Sequence, residues 1–242
     1  MLRGFLSNLL NIAFPRVCLV CHKPLKDNSI DNLLCADCWA KIEKNRPPLC
    51  TLCGRKIRET GITKKFCPDC SKGRNFSFER AFSPCVYEGV MRELIHKFKY
   101  QGRDYLGVPL ARLLIEFIEQ YRINLEPFDL LMPIPLHKIR LKEREFNQAE
   151  VLACRVANQF SLALSSSNLW RKHYRKAQME LEGNQRWENI KGCFALRNPQ
   201  EVRGKNILLV DDVLTTGATC SEAASALKAA GAVRVWVLTL AN

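Results

Sequence analysis

A chain of 242 residues, 47% hydrophobic and 25% charged, has an ordinary globular balance that excludes a fibrous or disordered chain and leaves room for one domain plus a small module. Its 37 Lys/Arg against 24 Asp/Glu give a formal charge of +13, which reads either as a solubility charge or as contact with phosphates. No stretch approaches the ~20 apolar residues that cross a bilayer, so an integral membrane helix is excluded.

Residues 1–16 come first. Leu2, Phe5, Leu6, Leu9, Leu10, Ala13 and Phe14 fall at helical spacing, predicting an amphipathic helix ended by Pro15. Gly4, Ser7, Asn8 and Asn11 interrupt the apolar run and no small-residue cleavage pattern follows, so it does not read as a secretory signal. Packing on the core is the simplest use of its apolar face, with a peripheral contact at a membrane or partner as the alternative. The expected location is cytoplasmic, peripheral to the inner membrane under that alternative.

Residues 17–75 carry an internal repeat. Cys18-x-x-Cys21 and Cys35-x-x-Cys38 are separated by thirteen residues, as are Cys50-x-x-Cys53 and Cys67-x-x-Cys70, and the second set lies 32 positions after the first. Two C-x-x-C turns can aim four sulfurs at one ion and complete a tetrahedron, so the spacing predicts a double zinc ribbon. Disulfides fit poorly in a chain without an export signal, and a redox C-x-x-C would stand alone at a strand–helix junction. Four thiolates leave no position for water or substrate, which makes both sites structural. Sequence order assigns Cys18, Cys21, Cys35 and Cys38 to one zinc and Cys50, Cys53, Cys67 and Cys70 to the other; interleaved pairing stays open. His22 is expected at the surface or behind the ligands, and Cys85, Cys154, Cys193 and Cys220 as small buried side chains. Eight thiolates and two Zn²⁺ lower the formal charge to about +9. That correction leaves untouched the excess in 138–205, where 14 Lys/Arg face 7 Asp/Glu.

A polar joint, 71–80, contains Gly73 and marks the boundary with a second domain over 80–242. Helices are predicted over 91–100, 105–122, 147–160 and 219–230, the last stopped by Gly231. Strands are predicted over 129–133, 169–171, 207–210 and 233–240, with a polar, basic stretch between Arg171 and about Gln185. Alternating strands and helices give an α/β fold, a mostly parallel sheet with helices on both faces.

The chemistry concentrates in Ile207-Leu-Leu-Val-Asp-Asp-Val-Leu-Thr-Thr-Gly-Ala-Thr219. An apolar strand delivers two acids, and a short loop of small and hydroxyl residues opens directly into a helix. Amides of Thr216, Gly217, Ala218 and Thr219 can cradle a phosphate at the helix N-terminus, with hydroxyls from Thr215, Thr216 and Thr219. Asp211 and Asp212 then lie one sugar length away, placed to accept hydrogen bonds from vicinal ribose hydroxyls. Neither G-x-x-x-x-G-K-[ST] nor G-x-G-x-x-G occurs, which weighs against ATPase and dinucleotide readings.

This segment resembles the PRPP (5-phosphoribosyl 1-pyrophosphate) signature of type I phosphoribosyltransferases. Pro133-Ile-Pro-Leu-His137, Arg140, Arg144-Glu-Phe-Asn-Gln148, Arg171-Lys172, Gln178, Leu181, Arg186, Asn189 and Phe194 narrow the resemblance to the ComF family, which joins such a domain to N-terminal C-x-x-C motifs. The family pattern reads Arg-Gly-Phe-Asn-Gln; Glu145 in the glycine's place argues against a special backbone conformation there and sets a carboxylate beside Arg144.

The resemblance implies that Leu136, His137 and Lys138 hold pyrophosphate, with Arg140 and Arg144 as anion clamps and Lys99 near the nucleobase side. It implies a loop from Arg171 to Lys176 that closes over PRPP, which makes Asp211, Asp212, Arg171 and Lys172 the expected catalytic residues and Mg²⁺ the companion of PRPP. It further implies a role in natural transformation: handling incoming single-stranded DNA in the cytoplasm, with a DNA-uptake or helicase protein as a further partner. Phe146, Trp170, Tyr174 and Trp187 among the basic residues of 138–205 suit strand tracking and stacking, although each is by default a core or loop anchor. The other readings are a phosphoribosyltransferase acting on a nucleobase or other nitrogen acceptor, and a zinc-bearing adaptor that keeps only the fold. Nothing in 82–132 spells a nucleobase-reading pattern.

Overall fold

The computed structural model describes residues 16–57, 65–100, 102–173 and 183–242. The expected N-terminal helix, and residues 174–182 of the basic stretch with Tyr174, Gln178 and Leu181, lie outside them.

The central sheet has the order β1-β6-β5-β2, with every pairing parallel: β1 Arg80–Phe82, β2 Leu130–Pro133, β5 Asn206–Val213 and β6 Arg234–Ala241. Strands buried on both faces need continuous apolar runs rather than alternation, which is what Ile207–Val210 and Val235–Leu238 supply. A separate antiparallel pair, β3 Leu169–Arg171 with β4 Phe194–Leu196, stands beside it.

The β5 pleat divides the core. Leu208 and Val210 face a layer containing α3 (Gly89–Lys99), α4 (Gly107–Gln120) and α6 (Gln148–Phe160). Ile207 and Leu209 face the opposite layer with α8 (Ala218–Ala229), whose Cys220, Ala223, Ala224 and Leu227 are buried. The α4 helix has no side-chain N-cap, yet buries Leu110, Leu113, Leu114 and Phe117. At roughly 1.5–3 kcal/mol for each fully buried large apolar side chain, docking outweighs anything lost at an uncapped end.

The two ribbons repeat one design. Cys18 N–H donates to the Lys23 carbonyl at 2.8 Å and Cys50 N–H to that of Arg55 at 2.7 Å, closing the two knuckles alike. One-turn helices α1 (Ala36–Ala40) and α2 (Pro68–Ser71) begin just after Cys35 and Cys67. The first knuckle holds His22 at φ +58° where the second holds Gly54 at φ +71°, so His22 fills a left-handed turn position. The ribbons part at the sheet: Cys18, Leu34, Cys38 and Ile42 join the α4/α6 layer, whereas Cys50, Cys53, Ile57, Cys67 and Cys70 join the α8 layer. Together they cover the β1 edge. Ala81 N–H donates to the Leu52 carbonyl at 2.8 Å, and the Asn45 amide donates to the carbonyls of Ser83 and Cys85 at 3.0 and 2.9 Å.

Besides the one-turn helices of the ribbons, four elements depart from the sequence reading. β1 and β4 have three residues each, too short for a period; α5 (Lys138–Arg144) buries no residue, and α7 (Gly183–Ile190) falls where a polar stretch was expected to about 185. No helix among the described residues is long and apolar enough to cross a membrane.

Candidate functional site

The eight cysteines form two clusters in sequence order, Cys18/Cys21/Cys35/Cys38 and Cys50/Cys53/Cys67/Cys70, with the sulfurs of each set within 4.8 Å of one another. This closes the interleaved alternative. A tetrahedral Zn–S distance of ~2.3 Å places sulfurs about 3.8 Å apart. Cys21 and Cys35 sulfurs lie at 3.7 Å and those of Cys53 and Cys67 at 3.6 Å, so both sets fit zinc. These are structural zinc sites: all four ligands of each come from the chain. The Cys53 thiol, donating to its neighbour, lowers the Cys50 pKa against the cost of burial. Of the remaining cysteines, Cys85, Cys193 and Cys220 are buried as expected, but Cys154 is exposed on α6, where the apolar stripe turns toward solvent.

Across the sheet, β5 ends in the acid pair and a turn. Because successive side chains alternate, the acids go to opposite layers. Asp212 reaches the α3 side, where Lys99 Nζ lies 3.1 Å from its Oδ2. Burial disfavours the Lys99 charge, but the Asp212 carboxylate overrides it and raises the lysine's pKa. Lys99 therefore stands on the acid pair. Asp211 reaches the α8 side, where the Cys220 thiol donates to its Oδ2 at 3.7 Å and Asp212 N–H donates to its Oδ1 at 2.9 Å. Burial, and then the negative charge of Asp212, push Asp211 up to about 7.

The turn that follows places Gly217 at φ +79° as the N-cap of α8. Ala218 N–H meets the Thr216 hydroxyl at a long 3.4 Å, and Ser221 N–H closes the first helical turn on the Gly217 carbonyl at 2.8 Å. The helix begins inside the Thr215–Thr219 segment, so its first amides point toward the turn. A Cβ at 217 would lie 2.4 Å from the Phe76 ring, so glycine is required both by backbone angle and by contact.

A cationic side faces the acids. Arg171, on β3, has its pKa lowered by burial, feels the fields of both Asp211 and Arg140, and its buried Nε has no hydrogen-bond partner. His137 is 7% exposed and N-caps α5, with Nδ1 accepting from Ile139 N–H at 3.3 Å. Burial, and then Arg171 and Lys138, lower its pKa. Leu136 and Lys138 flank it at the start of α5, and Arg140 pairs with Glu143 at 2.9 Å. Lys172 continues the β3 end, its N–H donating to the Cys193 carbonyl at 2.7 Å.

The Arg144-Glu-Phe-Asn-Gln148 stretch braces rather than opens. Arg144 Nη1 donates to Gln148 Oε1 at 3.0 Å and its guanidinium lies over the Tyr100 ring at 5.6 Å, leaving a buried Nε without a partner. Gln148 donates to the Phe98 carbonyl at 3.2 Å; Asn147 caps α6 and donates to the Ile134 carbonyl at 3.1 Å. Glu145 adopts φ +69°, so the left-handed conformation persists without glycine, contrary to expectation. Among the expected stacking aromatics, Phe146 packs on Phe98 at 5.5 Å and Trp187 on Phe76 at 5.9 Å; Trp170 is exposed.

Two residues at the turn escaped the sequence reading, Arg55 of the second knuckle and Phe76 of the joint. Arg55 Nη2 donates to the Thr215 carbonyl. The only sequence signal was a cationic side chain two positions beyond a zinc ligand, which says nothing of what it faces.

Residues 9–72 match the family model of the double zinc ribbon domain, and residues 147–242 that of the phosphoribosyl transferase domain. The DNA utilization protein YhgH of Salmonella typhimurium is 33% identical over 165 residues, covering 66% of this chain and 72% of that protein. Competence protein F of Haemophilus influenzae is 29% identical over 153 residues, 61% of this chain and 67% of that protein. Among solved structures, glutamine PRPP amidotransferase from B. subtilis, complexed with ADP and GMP, matches with a TM-score of 0.40 at 16% identity, over 59% of this chain and 30% of that one.

Proposed function

We infer that this chain, which belongs to the ComF family of double-zinc-ribbon phosphoribosyltransferase-domain proteins, binds PRPP and serves DNA utilization in natural transformation, handling incoming single-stranded DNA in the cytoplasm. One observation carries the PRPP reading: β5 delivers Asp211 and Asp212 to the mouth of a turn that opens straight into α8 with glycine as its N-cap. Asp211 and Asp212 take the ribose hydroxyls, and amides of Thr216 to Thr219 the 5-phosphate, helped by the α8 dipole. Leu136, His137 and Lys138 hold the pyrophosphate, with Arg171, Lys172, Arg140 and Arg144 as its cations. Lys99 sets the charge of the acid pair. The names of the relatives support the DNA role, and the basic excess of 138–205 supports contact with a polyanion. A DNA-uptake or helicase protein, and a peripheral position at the inner membrane, complete the reading.

A second reading, transfer of the ribosyl group to a nucleobase or another nitrogen acceptor, is supported by Arg171, whose buried Nε has no hydrogen-bond partner and whose charge feels Asp211. Mg²⁺, bound with the pyrophosphate and ribose hydroxyls, would neutralise the leaving group. The chain's own share is positioning and electrostatics: cations on the departing pyrophosphate, carboxylates beneath the ribose as positive charge develops at C1, and exclusion of water.

Calorimetry of the zinc-loaded chain with PRPP and Mg²⁺ tests the core of the proposal. Saturable heat that disappears when Asp211 and Asp212 are both changed to Ala is expected; no heat from the unaltered chain refutes it. Binding of single-stranded DNA in a gel shift should weaken steeply with salt and survive the same double change. A salt-independent or absent shift removes the DNA role. Pyrophosphate release across a panel of bases decides the second reading, and inertness throughout the panel refutes it.

A further inference from the structure

The phosphate turn is not walled by its own domain alone. Arg55 lies between Cys53 and the knuckle's closing bond, and its carbonyl accepts from Cys50 N–H at 2.7 Å, so its position is set by the second zinc site. Its guanidinium is a fork. Nη1 lies 2.8 Å from Asp69 Oδ2, and Asp69 stands between Cys67 and Cys70 on the other half of the same site. Nη2 donates to the Thr215 carbonyl. On the neighbouring side the Phe76 ring fills the direction a side chain at 217 would take, and Ser77 N–H reaches Ser221 Oγ at 2.9 Å. Only about 10 Å³ of free space remains between ribbon and turn. The Arg55 contact uses a carbonyl and the Phe76 contact a Cα face, so neither consumes an amide hydrogen of the turn.

We propose that Arg55 is a positioning residue for the phosphate turn: the second zinc ribbon forms the turn's rear wall and holds the Thr215 peptide so that the following amides face a phosphate ester. The inference rests on reading 207–219 as the ribose 5-phosphate site. A guanidinium drawing on a carbonyl polarises that peptide and fixes its plane, and Thr216 N–H belongs to the same peptide plane. Zinc at Cys50, Cys53, Cys67 and Cys70 thereby acts on ligand affinity from outside the sheet domain, by fixing both the residue that grips the turn and the carboxylate that orients it.

The test uses the full zinc-loaded chain and two probes, ribose 5-phosphate for the turn and inorganic pyrophosphate for the cationic side, measured by calorimetry with zinc content determined on each sample. Arg55→Gln should weaken ribose 5-phosphate by about ten-fold, what one charge-assisted hydrogen bond is worth, and leave pyrophosphate unchanged. Arg55→Lys, which can reach the carbonyl but not fork to Asp69, should recover part of the loss. Arg112→Gln, which breaks the exposed pair with Asp31 of the first ribbon, should change neither probe. Arg55→Gln binding ribose 5-phosphate within two-fold of the unaltered chain, with both zinc ions retained, overturns the proposal. Equal loss of both probes overturns it as well, since that marks general damage. If Arg55→Gln sheds zinc, Asp69→Asn decides: a selective loss of ribose 5-phosphate affinity supports the wall, and affinity within two-fold overturns it. Failure of the unaltered chain to bind ribose 5-phosphate at all sinks the PRPP reading itself, a result separate from any of these.

Discussion

At the scale of single residues, the acid pair shows how far contiguity carries a reading. Asp211, Asp212 and the threonine turn are adjacent in sequence, so their chemistry was legible before any coordinates. Lys99 was not legible as the partner of Asp212, because only the packing of α3 on the sheet brings the two within 3.1 Å. Burial and Asp212 place Asp211 at about 7, above its ordinary 3.8, and the sign of the consequence follows. A carboxyl that holds its proton more tightly when folded favours the native state at low pH, and that advantage is lost as pH rises from about 4 to about 7. Asp211→Asn removes the ionisation and should stabilise the chain at pH 8 by on the order of 1–2 kcal/mol, read as a raised melting temperature, since part of the acid faces solvent and discounts the full shift. Near pH 4 the same variant should melt close to the unaltered chain. Equal shifts at both pH values would show that the carboxyl is not held protonated by its surroundings.

Among the elements, those with a clear period or an apolar run were foreseen, including α3, α4, α6, α8, β2, β5 and β6. Those missed lack such a signal. α5 has no buried residue and so no stripe, and β1 is a three-residue strand whose place is dictated by β6 and the ribbons. The joint between α5 and α6 is instructive. The sequence put a glutamate where glycine is usual, which argued for an ordinary backbone, yet the Arg144–Gln148 brace and the Asn147 cap hold position 145 at φ +69° regardless. A left-handed non-glycine residue costs roughly 1–2 kcal/mol, and glycine gives back ~0.4–1 kcal/mol through a freer unfolded chain. Glu145→Gly should therefore stabilise by about 0.5–1 kcal/mol in denaturant melts, with the midpoint raised and the slope unchanged. A lowered midpoint would mean the glutamate side chain makes a compensating contact.

For the whole molecule, the cysteine repeat made the ribbons readable but gave no hint of where they dock. Their separation to opposite faces of the sheet comes from apolar residues such as Leu34 and Ile42 in one and Ile57 in the other, each matched to a layer the ribbon sequence cannot reveal. The β1 edge depends on this arrangement, since the Leu52 carbonyl satisfies the outward Ala81 N–H and Asn45 satisfies the Ser83 and Cys85 carbonyls just beyond the strand. A chain cut to 80–242 would present an uncovered strand, and edges of that kind pair with other copies. Size-exclusion chromatography should show self-association of the fragment and of the chelator-treated full chain, alongside two zinc ions per chain before chelation. A monodisperse fragment would show that the ribbons are not needed to guard the edge.

The pleat that sends Asp211 and Asp212 to different layers has one more consequence. A sugar gripping both carboxylates would act as a rivet through the sheet, tying α3 by way of Lys99 to α8 by way of Cys220. Amide hydrogen exchange would then slow in both helices together when ribose is engaged, rather than only in the helix that meets the phosphate.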